Sequence, residues 1–283
     1  MVKFISEISS NHSCDLDRIN DFIRVSSEIG CYAVKFQLFK IDELFSKEIL
    51  QKSEQHRLRK NWELPIEFIP KIKEMCILNN IKFCCTPFYI DAVSILNDYV
   101  DFFKISSYEI LWKDLLLACS KTNKKVIIST GMASLQEIKE AIKVMNEHKS
   151  DFELLHCISS YPTPPNEANL SAISVLKNEF KCNVGLSDHS VNPEIIRRAI
   201  YKWEAKTIEF HLDLDGKGEE FKSGHCWLPN KIKKLIKEVN NSEIFDGFFK
   251  KVPMKSEEND RDWRADPSDG LRPLKKIRNS YNG

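Results

Sequence analysis

Two lysines stand inside apolar runs, Lys35 in AVKFQ and Lys104 in FFKIS. A buried ammonium is costly unless an anion pairs with it. The hydroxyls of Thr86, Ser107 and Ser129 close similar runs and could add hydrogen bonds, so the set reads as a cradle for a phosphate or a carboxylate. Two other readings stay open. The lysines could be paired within the protein, with Glu7 or Glu109 as partner, or one of them could be a Schiff-base nucleophile whose pKa burial depresses. His189 in SDHS and His211 in EFHLD end two consecutive apolar runs, where imidazoles on neighbouring strands could share a divalent ion. Imidazole with water and a carboxylate suits Mn²⁺ or Zn²⁺ better than Mg²⁺. His225 in KSGHCWLP is a candidate third ligand, against the blander reading of a loop histidine. His12, His56, His148 and His156 have no such company and read as structural or surface residues.

These residues need a scaffold that gathers strand ends. Short β-branched or aromatic runs begin near 3, 32, 81, 101, 125, 152, 183 and 207 and alternate with stretches of helical period, followed by a last helix in LPNKIKKLIKEVNN. Eight βα units over this length predict a TIM (β/α)8 barrel, with nearly continuous apolar strands under a layer of helices. A doubly wound open sheet is the alternative, but no G-x-G-x-x-G or G-x-x-x-x-G-K-[ST] follows any strand. In a barrel the active site lies at the C-terminal strand ends, and every strand brings polar residues there. They are Glu7, Asn11 and His12; Lys35 and Gln37; Thr86; Lys104, Ser106, Ser107 and Glu109; Ser129 and Thr130; Ser159 and Tyr161; Ser187, Asp188 and His189; Glu209, His211 and Asp213. From about Asp246 the chain turns charged, Pro/Gly-punctuated and aperiodic. The expected organisation is a barrel domain over 1–245 and an irregular tail over 246–283 that wraps the barrel or a partner subunit and is no separate domain.

Composition sets limits. The net charge is +1, so electrostatics alone names neither nucleic acid nor an anionic membrane as a partner. The nine cysteines are odd in number and scattered, with no C-x2-C grouping, and read as reduced, mostly buried thiols of a cytoplasmic protein. No secretory leader and no uninterrupted run of eighteen apolar residues is present.

The stretches SEISSNHSCDL, YAVKFQLFKIDEL, FCCTPF, FFKISSYEI, VIISTGMASLQEI, LLHCISSYPTPPNEANL, VGLSDHS and IEFHLDLD, in this order, resemble the sialic acid synthase (N-acetylneuraminate synthase) family from about residue 3 to 230. The resemblance implies condensation of phosphoenolpyruvate with an N-acylated aldose, N-acetylmannosamine or a relative, to a 2-keto-3-deoxy sugar acid and phosphate by C–O cleavage. It implies Lys35, Thr86, Lys104, Ser107 and Ser129 around phosphoenolpyruvate, and His189 and His211 on a divalent metal, Mn²⁺ foremost with Mg²⁺ or Co²⁺ as alternatives. Gln37, Tyr161, Ser187 and Glu209 would face the sugar, while Glu7, Lys104 and Glu109 would serve the reacting atoms. A homodimer is expected, and a surface polysaccharide or other glycoconjugate as the product's destination.

Three departures fall on the sugar side. The chain ends before the C-terminal antifreeze-like domain that in this family lends an arginine to the partner's sugar site; Arg261, Arg264 and Arg272 of the tail are candidate substitutes. The loop after the eighth strand reads GKGEEFKSGHCWLP where the family carries a Gly-Pro-Asp segment, with Glu219 and Glu220 nearby. Ser159 replaces an asparagine ahead of Tyr161. The acceptor is therefore expected to differ from N-acetylmannosamine more readily than the donor chemistry does. A phosphosugar acceptor would need a second anion site, for which only the tail arginines are candidates. A Schiff-base pyruvate aldolase using Lys104 or Lys35, and a catalytically silent barrel serving as a binding protein, are the rival functions.

Overall fold

The computed structural model describes residues 2–281. Eight parallel strands follow in chain order: β1 (Lys3–Glu7), β2 (Ala33–Leu38), β3 (Lys82–Pro87), β4 (Phe102–Ile105), β5 (Val126–Ser129), β6 (Phe152–Cys157), β7 (Val184–Asp188) and β8 (Thr207–Leu212). Each pairs with the next, and β1 pairs with β8 from Lys3↔Thr207 to Glu7↔His211, closing the barrel. A two-residue strand, β9 (Cys226–Trp227), adds to β8 with His211 opposite Cys226. Nothing in the hydrophobic period signals so short a strand.

The longer helices are α1 (Leu16–Glu28), α2 (Ile69–Leu78), α3 (Ile90–Asn97), α4 (Lys113–Ser120), α5 (Leu135–Glu147), α6 (Ala172–Phe180) and α7 (Pro193–Tyr201), each linking two strands, and α8 (Pro229–Asn241) after β9; three short helical pieces between Ile41 and Leu58 precede α2. Local chemistry starts several of them. The Asp15 carboxylate accepts from the Asp17 and Arg18 amides, Ser134 and Glu137 form a capping box, and Asn192 caps α7 ahead of Pro193.

Strand period two sorts the side chains. Outward residues such as Phe36, Phe83, Phe103, Ile128 and Phe210 join the helices in one large core. Inward residues form a small separate apolar layer of Ile5, Ala33, Cys84, Phe102, Ile127 and Leu155. Cys84 and its neighbour Cys85 thus face opposite sides of β3, as their adjacency requires. The next inward position on each of these strands is two residues further on. It is Glu7 on β1, Lys35 on β2, Thr86 on β3, Lys104 on β4, Ser129 on β5 and the thiol Cys157 on β6, all buried. The alternation that plugs the barrel with hydrocarbon therefore sets a polar layer directly above it.

The chain divides into two compact units, Met1–Asn241 and Ser242–Gly283. The second is built from single turns, among them Glu258–Arg261 and Lys275–Arg278. Arg278 ion-pairs with Asp269, the Asp266 carboxylate accepts from the Lys275 amide at 2.8 Å, and the Trp263 and Tyr281 rings stand edge to face. No helix among the described residues is long and apolar enough to cross a membrane.

Candidate active site

Glu209 is the hub of the polar layer. Its Oε1 lies 3.2 Å from Lys104 Nζ and 3.8 Å from Lys35 Nζ, and it accepts from Ser187 Oγ at 3.3 Å. Lys35 pairs with Glu7 as well and donates to Thr86 Oγ1 at 3.2 Å. Glu7 Oε1 in turn accepts from Gln37 Nε2 at 2.9 Å and from the Ser9 amide at 2.8 Å. Burial raises the cost of every charge here, so the network must neutralise itself. Burial alone would raise the Glu209 carboxyl, yet Lys104 and Lys35 hold it down to about 2. Burial alone would lower the Lys35 ammonium, yet Glu209 and Glu7 hold it above its ordinary value.

Of the two carboxylates considered as lysine partners, Glu7 takes that place beside Lys35 and Glu109 does not. Glu109 closes the turn Ser107–Glu109, where its carboxylate accepts from Ser106 Oγ, and desolvation pushes its pKa up. Lys104 pairs instead with Glu209, expected on the sugar side but bound into the lysine cluster.

The hydroxyls line the same mouth. Ser129 Oγ is buried and makes no hydrogen bond within the protein. Ser107 Oγ accepts from the Gly131 amide at 3.0 Å, which ties the β5 loop to the turn after β4. That approach needs glycine: a Cβ at Gly131 would stand 2.3 Å from Ser159 Oγ and 2.8 Å from Ser107 Oγ. Gly131→Ala should therefore lower stability by about 1–3 kcal/mol through overpacking, read as a shifted denaturant midpoint. An unchanged midpoint would show that the loop gives way without cost.

A cluster of rings forms the other half of the mouth. His211 stands 5.2 Å from His189 and 4.6 Å from His225 between ring centroids, and Tyr161, two-fifths exposed, lies 4.2 Å from His189 and 5.0 Å from His225. His189 Nδ1 donates to the Ile158 carbonyl at 3.0 Å, which leaves Nε2 as its basic nitrogen. Desolvation lowers the pKa of both His189 and His225, favouring the neutral, ligating form. Glu220 arrives from the loop after β8. Its Oε2 is 2.9 Å from His211 Nδ1 and 3.5 Å from His225 Nε2, and its Oε1 accepts from Ser9 Oγ at 2.5 Å. An acid thus reaches the place where the Gly-Pro-Asp segment is missing. Asn11 holds that loop, accepting from the Glu220 amide at 2.9 Å and donating to the Leu212 carbonyl at 3.0 Å.

His211, Glu220, His225 and Cys226 each offer a ligand atom, all within 4.8 Å of one another. Neither ring nitrogen of the buried His225 makes a hydrogen bond, as befits a donor set able to accept a cation. His189 lies beside this quartet and outside it. Glu220 and Cys226 escape sequence reasoning as ligands: one rides a loop without period, the other looks like a small buried hydrophobe. The remaining histidines satisfy themselves locally, His156 Nε2 with the Ala168 carbonyl at 2.8 Å and His12 Nδ1 with the Cys14 amide at 2.9 Å.

A closed (β/α)8 barrel with a lysine-carboxylate layer and a histidine cluster gathered at one mouth is the arrangement of a barrel enzyme's active-site face. Residues 22–251 match the model of the NeuB family, and the chain belongs to that family. It is a sialic-acid-synthase-like enzyme. An uncharacterized protein of Methanocaldococcus jannaschii, MJ1065, is 37% identical over 89% of this chain and 74% of its own. The N,N'-diacetyllegionaminic acid synthase of Campylobacter jejuni is 34% identical over 90% of this chain and 80% of its own. Among solved structures, an N-acetylneuraminic acid synthetase from Leptospira borgpetersenii shares 33% identity with a TM-score of 0.81, covering 92% of this chain and 90% of that one.

Proposed function

We propose that this protein condenses phosphoenolpyruvate with the open-chain form of an acylamino aldose, giving a sialic-acid-like 2-keto-3-deoxy sugar acid and inorganic phosphate. N-acetylmannosamine and diacetamido hexoses are the acceptors of choice. The observation that carries this reading is the pairing of two buried lysines with unbonded Ser129 Oγ at the mouth that also gathers His189, His211 and His225. The family membership and the names of the relatives support it.

Lys35 and Lys104 neutralise the phosphate and carboxylate of the donor, and Thr86, Ser107 and Ser129 complete its hydrogen bonds. C3 of the enol phosphate forms a bond to the aldehyde carbon, water adds at C2, and the tetrahedral centre breaks its C–O bond to release phosphate. Glu7 and Glu109 are the carboxylates assigned to take the proton of that water. Gln37, Tyr161 and Ser187 contact the sugar, and Glu209 keeps both ammonium groups aimed at the mouth. A divalent ion at the histidines, when bound, supplies Lewis acidity toward the aldehyde oxygen. The enzyme is assigned to the cytoplasm as a homodimer, with catalysis in the barrel. A Schiff base on Lys35 would need a neutral amine, which Glu209 and Glu7 oppose.

Phosphate release with phosphoenolpyruvate and a panel of aldoses tests the proposal. Release that needs both an aldose and a divalent ion supports it; release with no aldose, or none with any, contradicts it. The raised pKa of Glu109 adds a pH signature. As a base it works only when ionised, so activity should fall as pH drops through a value above the ordinary carboxylate range. Glu109→Gln should remove that acidic limb from the kcat profile; an unmoved limb would take Glu109 out of the proton transfer.

A further inference from the structure

Between β2 and α2 the chain makes a long loop that carries the short helical pieces Lys47–Lys52, Glu54–Leu58 and Arg59–Trp62. It leaves β2 on the side of the barrel where the mouth opens. Cys14 Sγ joins it to the segment just past Asn11 and His12, donating to the Asn61 and Glu63 carbonyls at 3.3 and 3.2 Å. We infer that this loop holds a second oxyanion site, separate from the Lys35 and Lys104 cradle, in which Arg59 grips a phosphate ester or carboxylate borne by the acceptor sugar. The substrate class rests on the proposed function; the anion site itself stands on geometry.

Three observations carry it. The Arg59 guanidinium lies over two rings, 5.7 Å from the centroid of Phe45 and 5.7 Å from that of Trp62. Its Nε is enclosed and makes no hydrogen bond, and among the described residues no carboxylate pairs with it. Arg18, Arg24 and Arg197, by contrast, each pair with carboxylates. An enclosed donor without an acceptor is costly, and a guanidinium fork matches the two oxygens of a carboxylate or a phosphate. Stacking occupies the faces of the cation and leaves that fork unused. The frame around it is also pinned. The His56 ring stands edge to face with Phe45 at 4.6 Å and its Nδ1 lies 2.6 Å from Ser53 Oγ, Lys60 pairs with Asp42 at 3.3 Å, and Glu63 Oε1 accepts from the Ile41 amide at 2.7 Å. A side chain held before binding loses less freedom when it binds.

Charge points the same way. Between Phe45 and Trp62 the loop carries Lys47, Lys52, Arg57, Arg59 and Lys60 against Glu48 and Glu54, so cations outnumber carboxylates. The donor's phosphate and carboxylate are assigned to Lys35 and Lys104, which leaves this cationic rim free to draw in an acceptor with a charge of its own. In the sequence the tail arginines are the candidates for a second anion site; Arg59 supplies one within the barrel unit itself.

Two readouts test it. In magnetic resonance spectra of the full chain with isotope-labelled arginine, the side-chain Nε–H signal that is absent from Arg59→Lys belongs to Arg59. It should move and saturate on adding N-acetylmannosamine with a terminal phosphate ester, or the corresponding uronic acid, and stay still on adding neutral N-acetylmannosamine. Whichever charged sugar moves it at lower concentration identifies the oxyanion. In phosphate release with saturating phosphoenolpyruvate, that sugar should show a lower KM than its neutral parent. Arg59→Gln should erase the advantage by raising the KM for the charged sugar about 10- to 100-fold with kcat held. Arg59→Lys should restore it only in part, because an ammonium lacks the fork. A signal indifferent to both charged sugars would overturn the inference, as would an unchanged KM for the charged sugar in Arg59→Gln. A signal that moves in a protein releasing no phosphate with any aldose keeps the anion site and sinks the condensation; condensation with an indifferent signal does the reverse.

Discussion

Lys104→Ala should lower kcat by on the order of 10³-fold, the scale seen when a preorganised charge stabiliser is removed from a buried site. Lys104 is buried, follows Phe102 on the inward face of β4, and reaches Glu209 at 3.2 Å. Its loss takes away half of the cationic charge offered to the donor's phosphate and carboxylate. It also leaves Glu209 with Lys35 at 3.8 Å and Ser187 at 3.3 Å, so stability should fall by about 3 kcal/mol, near the low end for breaking a buried pair. The double variant Lys104→Ala/Glu209→Gln separates the two effects. Neutralising Glu209 should restore part of the stability, read by denaturant midpoint, and none of the turnover. If the double variant recovered activity together with stability, Lys104 would be a structural partner of Glu209 and nothing more.

His211→Ala carries the second large effect. The ring sits at the junction of the two halves of the mouth, 2.9 Å from Glu220 and facing His189, His225 and Tyr161, while its strand pairs with β1 at Glu7. Removing it costs a metal donor and frees the Glu220 carboxylate, which burial would raise but which His211 holds well below the usual carboxylate range. Turnover should be lost, and excess divalent ion should not bring it back, because affinity and geometry are damaged together. Phosphoenolpyruvate binding should survive, since Lys35, Lys104 and Ser129 stand on other strands. Calorimetric titration of the variant with phosphoenolpyruvate checks this; near-normal turnover would remove His211 from the site.

Much of this was legible because strands carry their own ruler. A period of two puts a polar residue two places beyond an inward apolar one on the same face, as from Ile5 to Glu7, Ala33 to Lys35 and Phe102 to Lys104, so residues picked out at strand ends share one mouth. The same reasoning separates Cys84 from Cys85. Register between distant strands was not legible: Glu7 and Glu109 stood as the possible carboxylate partners of the lysines, and Lys104 pairs with Glu209 on β8. The loop after β8 was harder still. Glu220 and Cys226 follow no period, and only their folded neighbours His211 and Asn11 show what they face. Side chains positioned by strands could be read from sequence; those positioned by a loop's tertiary contacts could not.

The central claim is a condensation in which the donor loses phosphate by cleavage at carbon. Phosphoenolpyruvate carrying heavy oxygen in its bridging position tests it directly, in a reaction with the best acceptor from the aldose panel and mass analysis of both products. The label should leave entirely with inorganic phosphate, and one sugar acid should form per phosphate. Label retained in the keto acid, or phosphate formed without a matching sugar acid, would contradict it.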